Sequence, residues 1–171
     1  MHCLRACVSS ANGLKAMGRV HVSLFPSTLM TTPAEELLEP LSGSSHAGQY
    51  SIEVSERQIV GDPSGLLRPV QALRDAGILF TLADVGSDRS SLEGLVVLEP
   101  DFVRLSRRRV AGVAHDRAQL RHMERLQNVL RAVGATTIAT GIEDEEDAAI
   151  LQELGVQLGQ GYLFGEPVVP G

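Results

Sequence analysis

The sequence predicts an α/β fold made of parallel βα units, and three observations carry that prediction. Short β-type runs alternate with helical stretches at intervals of roughly 25–30 residues, the spacing of strand–helix–strand crossovers. Residues 78–82 (ILFTL) are almost wholly apolar, as a parallel strand covered on both faces must be. Helical stretches run into glycines at Gly18, Gly77, Gly134 and Gly155, a residue that can close a helix with a positive φ. Six strands are countable. On pattern alone they suit a doubly wound open sheet as well as part of a barrel.

The elements follow in order. Residues 3–17 predict a first helix ending near Gly18, and residues 20–24 (VHVSL) alternate as a strand. A hydroxyl cap in Thr31-Thr32, Pro33 in the first turn, and Glu35 and Glu36 facing the dipole open the next helix. Residues 42–48 (SGSSHAG) read as a loop by composition. A strand at 50–54 leads to a turn at Asp62-Pro63-Ser64-Gly65 and a helix running to about Ala76. Pro69 must sit in the first turn of that helix, because deeper inside it would kink the chain. Beyond the strand at 78–82 come a short helix over 90–98 and a strand over 102–105. The longest helix, 116–133, repeats Leu120, Met123, Leu126, Leu130 and Val133 at spacings of three and four. A strand at 136–139, a helix at 143–154 and a short segment at 157–164 carry the pattern to Pro167.

At 171 residues and 43% hydrophobic, the chain is expected to form one unit, with a leading helix in 1–19 and βα units over 20–167. Fifteen basic against 21 acidic residues, a net charge of −6, argue against a broad nucleic-acid surface, and 4% aromatic content leaves little for base stacking. No apolar run approaches the ~18–20 residues of a membrane span. Residues 1–17 lack the continuous apolar stretch of a signal peptide, so a cytoplasmic protein is expected. Cys3 and Cys7, four apart, read as small buried residues on one helical face rather than as a disulfide or metal pair. No Gly-rich phosphate loop follows any strand.

In a parallel barrel, chemistry sits at the C-terminal ends of the strands. Those ends carry Ser23, Glu53 with Glu56, Ala83 with Asp84, Arg104 with Ser106, Thr140 with Glu143, and Gln160. Acids, an amide and a cation on successive ends suit a divalent-metal and phosphate site. They also read as ordinary polar residues at strand ends. The basic run Arg104, Arg107, Arg108 and Arg109 could dock an anionic ligand but reads rather as solvated residues after a strand, and Asp144 to Asp147 read as a complement to a helix dipole. His115 and His122 read as surface residues, and His21 and His46 show no partner signal.

These segments resemble the EAL domain, the bacterial module that hydrolyses the second messenger cyclic di-GMP. Val22-Ser23-Leu24 is similar to its V-N-L strand end, Glu53-Val54-Ser55-Glu56 to E-x-T-E, and Ala83-Asp84-Val85-Gly86 with Ser90-Ser91-Leu92 to D-D-F-G…S-S-L. Arg104-Leu105-Ser106 resembles K-I-D, Ala139-Thr140-Gly141-Ile142-Glu143 resembles A-E-G-V-E, and Gln160-Gly161-Tyr162 with Gly165 matches Q-G-Y-x-x-G. The six matches fall in order from about Val20 to Pro167. The resemblance implies a modified TIM-like (βα) barrel, here incomplete and lacking the first strand and helix.

The departures bear on function. Ser23 stands at the family's Asn, Ala83 at the first Asp, Arg104 at the Lys, Ser106 at the following Asp and Thr140 at the first Glu of A-E-G-V-E. Glu53, Asp84, Glu143 and Gln160 survive. The family's reaction resembles attack by a metal-activated water on a phosphodiester, with two Mg²⁺ or Mn²⁺ ions held between carboxylates. Each ion needs several hard oxygen ligands, and Glu53 and Asp84 remain as too few for two. The expectation is therefore a catalytically degenerate module with no cofactor, Mg²⁺ or Mn²⁺ entering only with residual activity. Glu53, Asp84, Arg104, Glu143 and Gln160 would be a ligand-binding remnant for cyclic di-GMP, or the module would bind a protein partner or self-associate. The alternative is an active cyclic di-GMP phosphodiesterase completed by an N-terminal segment or a partner chain.

Overall fold

The computed structural model describes residues 2–13, 18–42, 49–86 and 91–166. The end of the expected first helix (14–17), the core of the loop over 43–48, Ser90 of the S-S-L segment and Pro167 lie outside the described residues.

Six strands, β1 (Val20–Ser23), β2 (Tyr50–Ser55), β3 (Leu79–Val85), β4 (Phe102–Leu105), β5 (Thr136–Thr140) and β6 (Leu158–Gln160), lie side by side in chain order. Every pair is parallel. Crossovers between neighbouring parallel strands share one handedness, so their helices collect on one face and the sheet curls about the other. The helices are α1 (His2–Gly13), α2 (Pro26–Thr31), α3 (Ala34–Ser42), α4 (Leu67–Asp75), α5 (Ser91–Leu98), α6 (Arg107–Val110), α7 (Arg117–Ala132) and α8 (Glu145–Glu153).

Outward strand positions form the core. Tyr50, Ile52 and Val54 of β2 and Phe80 of β3 pack with Leu4, Val8, Leu37 and Leu73 from α1, α3 and α4. Leu82 of β3, with Val103 and Leu105 of β4, packs with Met123, Leu126, Leu130 and Leu151 from α7 and α8. Leu126 and Leu130 keep the expected stripe buried, and Asp116 caps α7 by accepting from the amides of Ala118 and Gln119. Pro69 sits in the first turn of α4, where it removes no helical hydrogen bond. No described helix is long and apolar enough to cross a membrane.

Several elements differ from the sequence expectation. A short helix, α2, starts at Pro26 directly after β1, since proline presets its first turn. The third strand continues past Leu82 to Val85 through a register shift. A single turn, α6, forms from the arginine run. Helix α8 begins at Glu145, with Asp144 accepting from the amides of Glu146 and Asp147, so Glu143 lies ahead of the helix. Asp147 does more than complement the dipole. Its buried carboxylate accepts from Gly112 N at 2.7 Å and Ala114 N at 2.9 Å, tying α8 to the turn after α6. Cys7 corrects the expectation of a buried thiol: it is exposed, because the core-facing stripe of α1 is Leu4, Val8 and Ala11, one position over.

Candidate functional site

A strand turns every second side chain to the same face, so the strand-end residues reach the concave side together. Register sets His21 beside Ser51, Ser23 beside Glu53, Ser55 beside Ala83, Ala83 beside Arg104 and Thr140 beside Gln160. Arg104 links the most distant of them. Its Nε lies 2.9 Å from Glu53 Oε2, an ion pair without the alignment of a hydrogen bond. Its Nη1 donates to Gln160 Oε1 at 2.9 Å. Ser23 Oγ donates to the other oxygen of Glu53 at 3.1 Å. One guanidinium thereby joins β2 to β6 across the mouth.

Asp84 sits where the β3–β4 register slips between Ala83 and Val85, with a φ of 59°. Aspartate tolerates left-handed backbone better than most residues, and a bulge re-aims the side chain it carries. Here Asp84 Oδ2 accepts from Ser55 Oγ at 2.6 Å. Ala83 is buried and brings no functional group. Thr140 Oγ1 donates to Leu105 O at 2.7 Å, so its hydroxyl ties β5 to β4. Ser106 stands between β4 and α6, and its buried Oγ has no hydrogen-bond partner among the described residues.

Glu143 does not join Glu53 and Asp84. It is exposed and pairs with Arg107 Nη2 at 2.9 Å. Among the described residues, open cavities accordingly lie on either side of Arg104 on the concave face. One of about 250 Å³ is lined by Ser23, Glu53, Ser55, Ala83, Asp84 and Arg104. Another of about 360 Å³ is lined by Arg104, Arg107, Thr140, Glu143 and Gln160, among others. Arg104 borders both.

Three participants escape sequence reasoning. Ser55 follows Glu53 by two, which puts it on the same face of β2, and that spacing is a usable signal. Arg107 lies in a run read as solvated, yet its stem folds over Gly141. A Cβ at Gly141 would stand 2.6 Å from Arg107 Cγ, and the φ of +76° there also favours glycine. Gly161 is constrained more tightly, since a Cβ would meet Ile142 O at 2.0 Å. His21, which carried no partner signal, accepts or donates at Nδ1 with Thr81 Oγ1 at 3.0 Å, and Thr81 Oγ1 is 2.6 Å from Ser51 Oγ. The ring meets Phe102 edge-on at 5.3 Å, and Arg19 lies 4.9 Å above the same phenyl ring. Burial, then the positive charges of Arg104 and Arg19, hold the His21 pKa down at about 4.

Residues 3–167 match the family model described as EAL domain. The chain belongs to the EAL domain family. This EAL domain is 26% identical over 148 residues to the cyclic di-GMP phosphodiesterase RocR of Pseudomonas aeruginosa, covering 85% of this chain and 38% of that protein. It is 24% identical over 147 residues to the oxygen sensor protein DosP of Escherichia coli, covering 81% of this chain and 18% of that protein. The chain thus spans well under half the length of either relative. The cyclic di-GMP-bound form of a standalone EAL protein from Vibrio cholerae has a TM-score of 0.87 at 20% identity, over 98% of this chain and 72% of that one. The EAL domain of Mycobacterium smegmatis DcpA gives 0.84 at 23% identity, over 97% and 78%. The manganese and cyclic di-GMP complex of Klebsiella pneumoniae BlrP1 gives 0.79 at 24%, over 94% and 42%. These likenesses establish the fold, an incomplete TIM-like barrel of six parallel strands.

Proposed function

We propose that this EAL domain is a non-hydrolytic regulatory module that acts by binding. The observation that supports the reading is the shortage of converging carboxylates. Among the described residues, no three His, Cys, Asp or Glu side chains come together as a metal-holding group. Inward strand ends that could carry acids hold Ala83 and Thr140 instead. Each divalent ion of a phosphodiester-cleaving pair needs several hard oxygen ligands. Glu53 is engaged by Ser23 and Arg104, and Asp84 by Ser55, so a divalent ion does not fit the donors present. The module acts in the cytoplasm, where a nucleotide messenger would reach it.

The BlrP1 structure is a manganese and cyclic di-GMP complex and RocR is a cyclic di-GMP phosphodiesterase, which makes cyclic di-GMP the nucleotide to test. The protein is incubated with it and millimolar Mn²⁺ or Mg²⁺, and the products are separated by chromatography. The expected result is intact dinucleotide. A linear product overturns the reading and favours an active phosphodiesterase completed by a further segment or a partner chain. Calorimetric titration without metal then assigns the ligand, since heat from cyclic di-GMP marks a nucleotide receptor.

A protein partner or a second copy is the second reading, supported by the sheet's edges. Among the described residues, β1 and β6 each pair on one side only. Leu158 of β6 and Tyr162 and Phe164 just after it are exposed, and Leu158 and Phe164 border a groove whose walls mix Ile142, Ala148 and Leu151 with Glu145 and Gln152. Unpaired edges and apolar surface invite association. A monodisperse monomer in sedimentation at high concentration would count against self-association.

A further inference from the structure

We infer that the Arg104 guanidinium is the resident cation of this site and balances Glu53 in place of a divalent ion. The inference rests on the non-hydrolytic reading above and names the cation of that same site. Glu53 and Arg104 are only 14% and 23% exposed, so both charges are largely withdrawn from water. A carboxylate in that position needs a fixed opposite charge and satisfied oxygens. Arg104 supplies the charge to one oxygen, and Ser23 a hydrogen bond to the other. Guanidinium keeps its charge at any working pH and offers several donors in one plane, so it can serve two partners at once. Here the second partner is Gln160.

The neighbouring strand permits this reach. Ala83, the register neighbour of Arg104 on β3, carries a methyl group at an inward position between β2 and β4. A long side chain there would occupy the path by which the guanidinium crosses β3 to Glu53. The same cation repels any divalent ion brought to Glu53, since like charges a few ångströms apart interact strongly at low dielectric. Arg104, Ala83 and Ser23 therefore act together. The methyl leaves the route, the guanidinium takes the charge, and the hydroxyl satisfies the remaining oxygen.

Thermal unfolding in EDTA and in millimolar Mn²⁺ tests this on wild type, Arg104→Gln and the double variant E53Q/R104Q. The expected wild-type melting temperature is the same in both buffers, because a ligand raises it only by binding the folded state. R104Q melts lower, through an uncompensated Glu53, and does so equally in both buffers, since the carboxylates left are too few to hold an ion. E53Q/R104Q melts above R104Q and ignores Mn²⁺, since removing both charges costs less than removing one. A rise of the wild-type melting temperature in Mn²⁺ overturns the inference, as does an R104Q that melts like the double variant. If R104Q does not fold, the other two proteins decide, and a double variant that is equally unfolded overturns it. Mn²⁺ stabilisation of wild type without cyclic di-GMP turnover removes this inference and leaves the non-hydrolytic reading standing. Turnover removes the reading itself.

Discussion

On the outward face of the sheet, Tyr50, Ile52, Val54, Phe80, Leu82 and Val103 are fully buried beneath helices. The inward positions of the same three strands carry Ser51, Glu53, Ser55, Thr81 and Arg104, joined by hydroxyl and ion-pair contacts. The outward face is held by apolar area, which is non-directional and tolerates any well-fitting side chain. The inward face depends on directed partners, each of which leaves another group stranded when removed. One strand thus serves two kinds of interaction at alternate residues, with different sensitivities to change.

The sharpest way to break the outward face is Phe80→Ala. Deleting a fully buried phenyl ring removes transfer energy and leaves a cavity, so a loss of about 3–5 kcal/mol is expected in denaturant unfolding. A loss below about 1 kcal/mol would mean that the helices collapse onto the gap. On the inward face, Thr81→Val keeps shape but removes the hydroxyl shared by Ser51 and His21, with an expected cost of about 1–3 kcal/mol. If the two substitutions cost the same, the contrast between the faces fails.

His21 sharpens the inward side through pH. Its pKa is about 4 in the fold against an ordinary 6.5, so as pH falls the unfolded chain takes up the proton first. Its contribution is complete above pH 6.5, is lost between 6.5 and 4, and is level below. Wild type should therefore lose melting temperature across that window more steeply than His21→Gln, and equal slopes would remove His21 as the cause. The smallest effect belongs to neither face. Arg5 and Glu39 pair at 2.7 Å on exposed helices, and Arg5→Ala should cost less than about 1 kcal/mol, with salt weakening it further.

Much of the outward face is legible in the sequence. The three-and-four spacing of α7 states directly which of its side chains face the core, and the apolar run 78–82 marks a strand covered on both faces. Legibility falls where one position serves two purposes. Ala83-Asp84 reads as a strand end, yet the bulge lets β3 continue to Val85. Asp147 reads as one acid in a run of four, yet it alone enters the interior, because only its position on α8 faces the turn holding Gly112 and Ala114. Cys7 reads as core by residue type, although its neighbours Leu4 and Val8 claim the buried stripe. Glu53, Asp84, Arg104, Glu143 and Gln160 could all be placed at or just beyond strand ends from the sequence. That Glu143 goes to Arg107 and leaves the Glu53 cluster could not be read there.

The sequence by itself determined the alternation of strands and helices, the parallel sheet and the family motifs, because periodicity, caps and turns are set within a few residues of each other. Tertiary structure decided the pairings: Glu53 with Arg104, Arg104 with Gln160, Asp84 with Ser55 and Thr81 with His21. Each depends on the register between strands separated by long crossovers, and one on a bulge that shifts it. Shifting a strand by one residue reverses every side chain on it. Charge partners on the concave face are therefore a property of the register of the whole sheet.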